Sequence, residues 1–210
     1  MTNNRVERSY SVSDLVSCKR KKYYKEIGIL KEDLNSAKPG QLWSTTRGDF
    51  LHEITRAYRW RELDVEYSVI LRDGKIVKLI GRLDIYDWKS RTIIDVKTSN
   101  FVDWQIKNNY LPRKEHILQI QCYATMFSQL IPVENLSLLY IDMSSLFTFN
   151  IKNIDRTEWI KKRIQGIEDS LNTSMLPRGE VSGLCQFCKY QKRCIKDGGG
   201  LTRGEGNYLR

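Results

Sequence analysis

The sequence predicts an α/β fold, and three of its features support that prediction. Residues 81–99 contain two short runs rich in aliphatic and β-branched residues on either side of a polar turn, which is the pattern of a β-hairpin. Residues 65–80 hold two further apolar runs around an Asp-Gly turn, so the hairpin extends into a meander of three strands. Residues 115–129 and the stretch after Asp155 repeat apolar side chains at helical spacing. We therefore expect a sheet that contains the meander, together with amphipathic helices.

The other elements follow from local signals. Ser11 and Asp14 have the spacing of a capping box and predict a helix that continues to about Gly28. Further predictions, in chain order, are a loop at 31–43, a helix at roughly 45–60 and a loop or pair of short helices at 101–115. They continue with a buried strand at 136–141, a segment at 146–151 that pairs with it or extends the sheet, and a helix that opens at a capping box of Asp155 and Glu158. We expect one domain over residues 1–196 and a flexible, glycine-rich tail over 197–210.

Composition narrows the classes of function. The 210 residues carry 35 Lys and Arg against 25 Asp and Glu, a formal charge of +10 that favours a polyanionic partner such as nucleic acid. A basic but unspecialised surface is the alternative, and no strongly amphipathic basic helix points to an anionic membrane. No apolar run has the length of a membrane span, and the first residues lack the apolar core of a secretory signal. The expected location is therefore the cytoplasm.

The meander carries a candidate catalytic group. Asp84 interrupts an apolar strand, while Asp95 and Lys97 stand two residues apart on the next strand and so point to the same face. The turn between the strands can bring Asp84 alongside Asp95. Two carboxylates and a lysine on one sheet face suit Mg²⁺ or Mn²⁺, which prefer hard oxygen ligands. The alternative for this pattern alone is a solvated hairpin with an ion pair.

Two helices carry further polar residues at one-turn spacing. Gly48 and His52 share one face of the predicted second helix, where the glycine leaves room for a metal ion or phosphate. Gln119 and Tyr123 share one face of the helix at 115–129. A lone helical histidine is otherwise a structural or solvated residue.

The five cysteines indicate a metal site rather than disulfides, since the number is odd and the chain looks cytosolic. Cys185, Cys188 and Cys194 are spaced C-x₂-C-x₅-C, and Cys18 in the first helix is the natural fourth thiolate. Four cysteines split in this way between the ends of the chain suit a [4Fe–4S] cluster better than zinc, because zinc sites usually consist of paired C-x-x-C knuckles or of Cys and His sets. Zinc is the alternative metal. The site would join the two ends of the chain and stabilise the fold. Cys122 is expected in the core.

Together these motifs resemble the CRISPR-associated RecB-like nucleases and the AddB-type iron–sulfur branch of the PD-(D/E)XK superfamily. The resemblance runs from Ser11 to Cys194. It rests on motifs in the family's order: Cys18 with its basic and aromatic followers, Gly48 and His52, Gly81 and Asp84, Asp95 to Ser99, Gln119 and Tyr123, and the three C-terminal cysteines. The second carboxylate is Asp95 where the family often has Glu, a change that the motif permits.

The resemblance implies a PD-(D/E)XK core, a central mixed sheet with helices on both sides, and roles for single residues. Asp84, Asp95, the backbone carbonyl of Val96 and His52 would hold Mg²⁺ or Mn²⁺. Lys97 would orient the attacking water or stabilise the transition state. Gln119 and Tyr123 would position the metal site or the DNA backbone, and the four cysteines would bind the cluster.

The implied function is a metal-dependent DNase, most simply a single-stranded DNA exonuclease with 5′→3′ polarity favoured and endonuclease activity open. CRISPR adaptation or another DNA-processing pathway would supply partner proteins, and a homo-oligomer is compatible with the sequence. The alternative class is a non-catalytic DNA-binding or scaffolding subunit stabilised by an iron–sulfur or zinc site.

Overall fold

The computed structural model describes residues 8–30, 46, 48–49, 53–182, 185 and 188–199. The strands are β1 (Ser9–Ser11), β2 (Arg61–Ile70), β3 (Ile76–Asp87), β4 (Thr92–Thr98), β5 (Asn135–Ile141) and β6 (Leu146–Ile151). The helices are α1 (Val12–Val16), α2 (Lys19–Glu26), α3 (Val102–Lys107), α4 (Lys114–Phe127), α5 (Thr157–Thr173) and α6 (Gln191–Lys196), with a 3₁₀ helix at Glu53–Ala57.

One mixed sheet contains all six strands, and β3 is its organising strand. Strand β2 pairs antiparallel along nearly the whole of β3, whereas the other edge of β3 is shared. Its first half pairs with β1 in parallel at residues 78–80, and its last residues pair with β4 in antiparallel orientation at 85–87. Strand β5 joins β4 in parallel and β6 closes the sheet in antiparallel orientation. The predicted α/β fold with a mixed central sheet flanked by helices is confirmed.

Helix α4 lies across the sheet and contacts β2, β3, β4 and β5. Its apolar stripe of Ile120, Ala124 and Phe127 belongs to the main core, and Cys122 is buried there as predicted. The opposite face of β4 packs a smaller cluster around Val96 and Ile141. Because side chains alternate along a strand, Asp95 and Lys97 project toward the face that α4 covers.

The first predicted helix is wrong in one respect, since it is two helices. Ser11 and Asp14 do form the capping box of α1, but Ser17 is extended and separates α1 from α2. Cys18 then takes the N-cap position of α2. The cysteine therefore lies at a bend between two helices rather than along one helical face.

The predicted capping box at Asp155 is also wrong. Asp155 accepts hydrogen bonds from the backbone N–H and the hydroxyl of Thr157, and Arg156 is the N-cap of α5 without a side-chain cap. The loop at 31–43 lies outside the described residues, as do residues 45, 47 and 50–52 of the predicted helix at 45–60. The end of that prediction is wrong, since Glu53–Ala57 form a 3₁₀ helix and residues 58–60 are not helical. In the segment 101–115 the described chain forms one short helix, α3, before α4 begins at Lys114.

Two further predictions concern the ends of the chain and the membrane. The predicted tail begins at Asp197, whose carboxylate accepts hydrogen bonds from Tyr24 and Arg193, while residues 200–210 lie outside the description. Across the described ranges, no helix combines the length and the apolar character that a membrane crossing requires.

Candidate active site

The turn between β3 and β4 sets the register that brings Asp84 to Asp95. Ile85 pairs with Ile94, so the next residues along, Asp84 and Asp95, stand opposite each other on the same face. The ladder opens at this point. The Asp84 carboxylate accepts a hydrogen bond from the backbone N–H of Val96 at 2.7 Å. This bond fixes the Asp84 carboxylate at the point where the two strands part.

Asp95 is the buried member of the pair, with 2 % of its surface exposed. Lys97 Nζ lies 2.8 Å from Asp95 Oδ2, an ion-pair distance. Among the described residues, Oδ2 nevertheless has no hydrogen-bond partner. Burial raises the pKa of Asp95 to about 6, and the Asp84 carboxylate adds to the rise while Lys97 opposes it. A buried carboxylate oxygen that lacks a hydrogen bond would be stabilised by an additional cation.

These residues fit a divalent cation bound through oxygen. Two carboxylates converge on one face, and one of their oxygen atoms is buried without a hydrogen bond. The part of the chain that the structure describes contains no set of three His, Cys, Asp or Glu side chains placed around one ion. His52, the predicted third side-chain ligand, lies outside that part. Gly48, the predicted partner of His52, is described. A Cβ atom at position 48 would lie 3.5 Å from Oγ1 of Thr98, the last residue of β4.

Helix α4 brings Gln119 and Tyr123 to the same face of the sheet. Gln119 Nε2 donates to the Tyr123 hydroxyl at 3.1 Å. Burial raises the pKa of Tyr123 to about 12, and the charges of Asp95 and Asp84 add to the rise. The phenol is therefore neutral and stands within electrostatic reach of both carboxylates.

Gly81 makes room for the Tyr123 ring. A Cβ atom at position 81 would lie 2.6 Å from Tyr123 Cε1 and 3.2 Å from Val12 Cγ2. The glycine is required by this close approach of the ring to the backbone of β3.

Sequence reasoning missed a polar group beside Lys97. Tyr140 on β5 pairs in register with Lys97, and its hydroxyl accepts a hydrogen bond from the backbone N–H of Arg113 at 3.1 Å. The same hydroxyl lies 2.7 Å from His116 Nδ1, one turn before Gln119 on α4. Burial lowers the pKa of His116 to about 3, with further contributions from Lys97 and Arg113. The imidazole is neutral and lets Tyr140 donate to Nδ1. The sequence feature that could have identified His116 is its spacing from Gln119, three residues later on the same helix.

All four predicted cluster cysteines line one cavity of about 930 Å³, together with the first turns of α4. Backbone N–H groups of Glu180 and Ser182 point at the sulfur atoms of Cys18 and Cys185, each at 3.4 Å. The Arg20 guanidinium lies 3.5 Å from the sulfur of Cys194. Donors directed at sulfur are also found around metal-bound thiolates. The Cys185 and Cys194 sulfurs in addition contact the carbonyls of Glu180 and Gly199, at 4.0 Å and 3.4 Å, and burial raises the pKa of the Cys188 thiol. Across the described residues, no three of these sulfurs surround a single metal ion.

Comparison with known proteins gives the family. The sequence profile of the PD-(D/E)XK nuclease superfamily matches residues 37–195. A search of curated proteins found no match. A crystal structure of SSO0001 resembles this fold with a TM-score of 0.63 and 21% sequence identity, over 92% of this chain and 89% of that one. A phage-related exonuclease from Haemophilus somnus 129PT has a TM-score of 0.46 and 18% identity, over 82% of this chain and 99% of that one.

The likeness to SSO0001 is a likeness of fold. The family match covers most of the chain and spans the two strands that bear Asp84, Asp95 and Lys97. The chain therefore belongs to the PD-(D/E)XK nuclease superfamily, whose members are typically metal-dependent nucleases.

Proposed function

We propose that the protein is a metal-dependent DNase that hydrolyses phosphodiester bonds in single-stranded DNA, as an exonuclease with 5′→3′ polarity favoured and with endonuclease activity open. The observation that carries the proposal is the convergence of Asp84, Asp95 and Lys97 on one buried face. The net charge of +10 supports a polyanionic substrate.

Asp84 and Asp95 would hold Mg²⁺ or Mn²⁺, with the Val96 carbonyl and His52 as the further ligands that the family resemblance implies. A bound divalent cation supplies a water of lowered pKa and neutralises charge on the scissile phosphate. Binding of the cation requires the carboxylate form of Asp95, which Lys97 favours, whereas burial and the Asp84 carboxylate raise the Asp95 pKa and oppose that form.

Lys97 has two tasks in this proposal. Its ammonium lies 2.8 Å from Asp95 Oδ2, so it can hydrogen-bond a water or phosphate oxygen beside that carboxylate. It can thus orient the nucleophile or stabilise the negative charge of the transition state. The neutral Tyr140 and His116 pair beside it adds no competing charge. Gln119 donates to the Tyr123 hydroxyl, on which Asp84 and Asp95 act electrostatically, and this hydroxyl can position the DNA backbone.

We also propose that Cys18, Cys185, Cys188 and Cys194 bind a [4Fe–4S] cluster, with zinc as the alternative. Their common cavity and the donors aimed at three of the sulfurs support this assignment. The role would be structural, because the site joins α2 to the C-terminal segment around α6. On the family resemblance alone we place the protein in CRISPR adaptation or a related DNA-processing pathway. The cytoplasm is the location that the sequence predicts, and a homo-oligomer is compatible with the sequence.

The test is cleavage of 5′-labelled linear single-stranded DNA with Mn²⁺. We expect Lys97→Ala to lower the rate by about 100- to 1000-fold. Lys89→Ala, which changes an exposed lysine in the β3–β4 turn, is the matched control and should cleave like wild type. A wild-type protein that binds the DNA but does not cut it would support the DNA-binding or scaffolding class instead. Cleavage that survives Lys97→Ala would show that the site is elsewhere.

A further inference from the structure

The segment between Lys97 and His116 leaves the candidate active site and returns to it. It departs at the end of β4, where the backbone N–H of Ser99 donates to the carbonyl of Ile141 at 3.0 Å. It returns at Arg113, whose backbone N–H donates to the Tyr140 hydroxyl beside His116. Both ends of this segment are therefore anchored beside the candidate active site.

Three aromatic side chains on this segment are exposed. Phe101 is 76% exposed, Trp104 is 57% exposed and Tyr110 is 36% exposed. The rings of Trp104 and Tyr110 already stack on each other, with 5.5 Å between centroids and 21° between planes. Solvent-facing aromatic clusters of this kind usually mark a binding surface, since burying them in the core would otherwise stabilise the fold.

The backbone presents these rings on a fixed support. The Gln105 side chain accepts a hydrogen bond from Ser99 at 3.1 Å and donates to the carbonyl of Asn100 at 2.6 Å, which ties α3 to the end of β4. The backbone N–H of Tyr110 donates to the carbonyl of Gln105 at 2.8 Å. Phe101 has a left-handed backbone with φ of 55°, a strained conformation for a bulky residue that directs its ring outward. Such a support lowers the ordering cost of binding.

The charges around the rings suit a polyanion. Lys107, Arg113 and Lys114 are exposed on the same segment, and none of the three forms an ion pair within the described part of the chain. The carboxylate of Asp103 is turned to the Ser145 hydroxyl, which donates to it at 3.1 Å. Flat aromatic surfaces next to cations are the combination that binds single strands, because bases stack on the rings while the cations contact phosphates.

We propose that Phe101, Trp104 and Tyr110 form a stacking platform for the unpaired bases of single-stranded DNA, and that the platform guides the strand to Lys97 and Asp95. This inference rests on the proposed nuclease function and adds the surface that selects single strands. Bases in a duplex are stacked on one another and cannot reach the rings, so the platform favours single strands over duplex.

The test measures binding of fluorescein-labelled oligothymidylate by fluorescence anisotropy, without added divalent cation. Stacking of one base on one aromatic side chain corresponds to about 5- to 150-fold in affinity, so Trp104→Ala should weaken binding by a factor in that range. Trp104→Phe, which keeps an aromatic face, should restore most of the loss. Trp88→Ala is the matched control and should bind like wild type. Trp88 is 61% exposed but lies in the β3–β4 turn, at the opposite end of β4 from the three aromatic residues.

Two further substrates separate stacking from charge. An oligonucleotide with abasic positions offers phosphates without bases, and wild type and Trp104→Ala should bind it alike. A blunt duplex should likewise show no difference between the two proteins. A Trp104→Ala protein that binds oligothymidylate as wild type does would overturn the proposal. A Trp104→Ala protein with unchanged DNA affinity but altered sedimentation would identify the patch as a protein interface and also overturn it.

The platform and the nuclease assignment can fail separately. Lys97→Ala should lose cleavage, whereas Trp104→Ala should lose oligothymidylate affinity. If Lys97→Ala abolishes cleavage but Trp104→Ala binds normally, the nuclease site stands and the platform is wrong. If Trp104→Ala weakens binding but no protein cleaves, the platform stands and the nuclease assignment is wrong.

Discussion

Replacing Gly81 by alanine is the sharpest test of the packing behind the candidate site. A Cβ atom there would lie 2.6 Å from Tyr123 Cε1 and 3.1 Å from Tyr123 Cδ1, whereas carbon atoms in contact are normally about 3.5–4.0 Å apart. The Tyr123 ring must therefore move by about 1 Å, and overpacking of this kind costs about 1–3 kcal/mol. For a chain of this length, we expect the melting temperature to fall by about 2–12 °C.

The same substitution should slow cleavage, because the Tyr123 ring packs on β3 at Gly81, three residues before Asp84, and both Asp84 and Asp95 act on it electrostatically. A shift of about 1 Å in a positioning group can lower a rate by about 100-fold. The assays are thermal unfolding by circular dichroism and cleavage of labelled single-stranded DNA.

The matched control is Gly166→Ala. Gly166 lies inside α5, and a Cβ atom there meets nothing within 4 Å. Helix propensity alone then applies, and the control should gain about 0.5–1 kcal/mol. Strand propensity alone predicts that Gly81→Ala also stabilises. A Gly81→Ala protein with the melting temperature and activity of wild type would refute the contact between Gly81 and Tyr123.

Three further predictions concern buried charges and the cysteine site. At pH 7 without a divalent cation, Asp95→Asn should stabilise the fold by about 3 kcal/mol, since the folded carboxyl pKa of about 6 exceeds its unfolded value of about 3.9. This gain in stability should vanish as the pH falls to about 4. Glu168→Gln should cost about 2–3 kcal/mol at pH 7, because buried Glu168 accepts from Tyr10 at 2.6 Å and from Lys75 at 2.7 Å. Cys18→Ser should lower both the iron content and the melting temperature if the proposed cluster is present.

The pH dependence of the Glu168 effect has a definite sign. Burial raises the pKa of this carboxyl, but hydrogen bonds from Lys75 and Tyr10 outweigh burial and lower it. The stabilisation is therefore present above the unfolded pKa of about 4.3 and is lost as pH falls through the lower folded value. Urea denaturation of wild type and Glu168→Gln at pH 7 and at pH 3 measures this, and a gap that widens in acid would contradict it.

The other two predictions also have outcomes that would contradict them. An Asp95→Asn protein less stable than wild type at pH 7 would show that the Asp95 carboxylate is not strained by burial. For the cysteine site, Cys122→Ala is the control, since Cys122 is buried in the main core away from the cavity. It should lose stability by cavity formation and keep its iron. Equal iron in wild type and Cys18→Ser would contradict the split site.

Local patterns in the sequence were enough to place the central hairpin. The alternation of β4 put Asp95 and Lys97 on one face, and the polar turn set the register that places Asp84 opposite Asp95. These features depend on neighbours within about ten residues, so short-range rules reach them. The same rules failed at Ser17, where an extended residue divides the first helix. That break depends on contacts between α1, α2 and distant parts of the chain, such as the hydrogen bond from Arg163 to the Leu15 carbonyl.

Only the tertiary structure decided what surrounds Lys97. The parallel register of β4 and β5 pairs Lys97 with Tyr140, and the packing of α4 on the sheet adds His116. Both arrangements join residues far apart in sequence, and no periodicity in one segment encodes the register of another. The sequence by itself determined the identity and spacing of the acidic pair and the lysine. Packing between distant segments decided that their face is the buried one, and burial is what raises the pKa of Asp95.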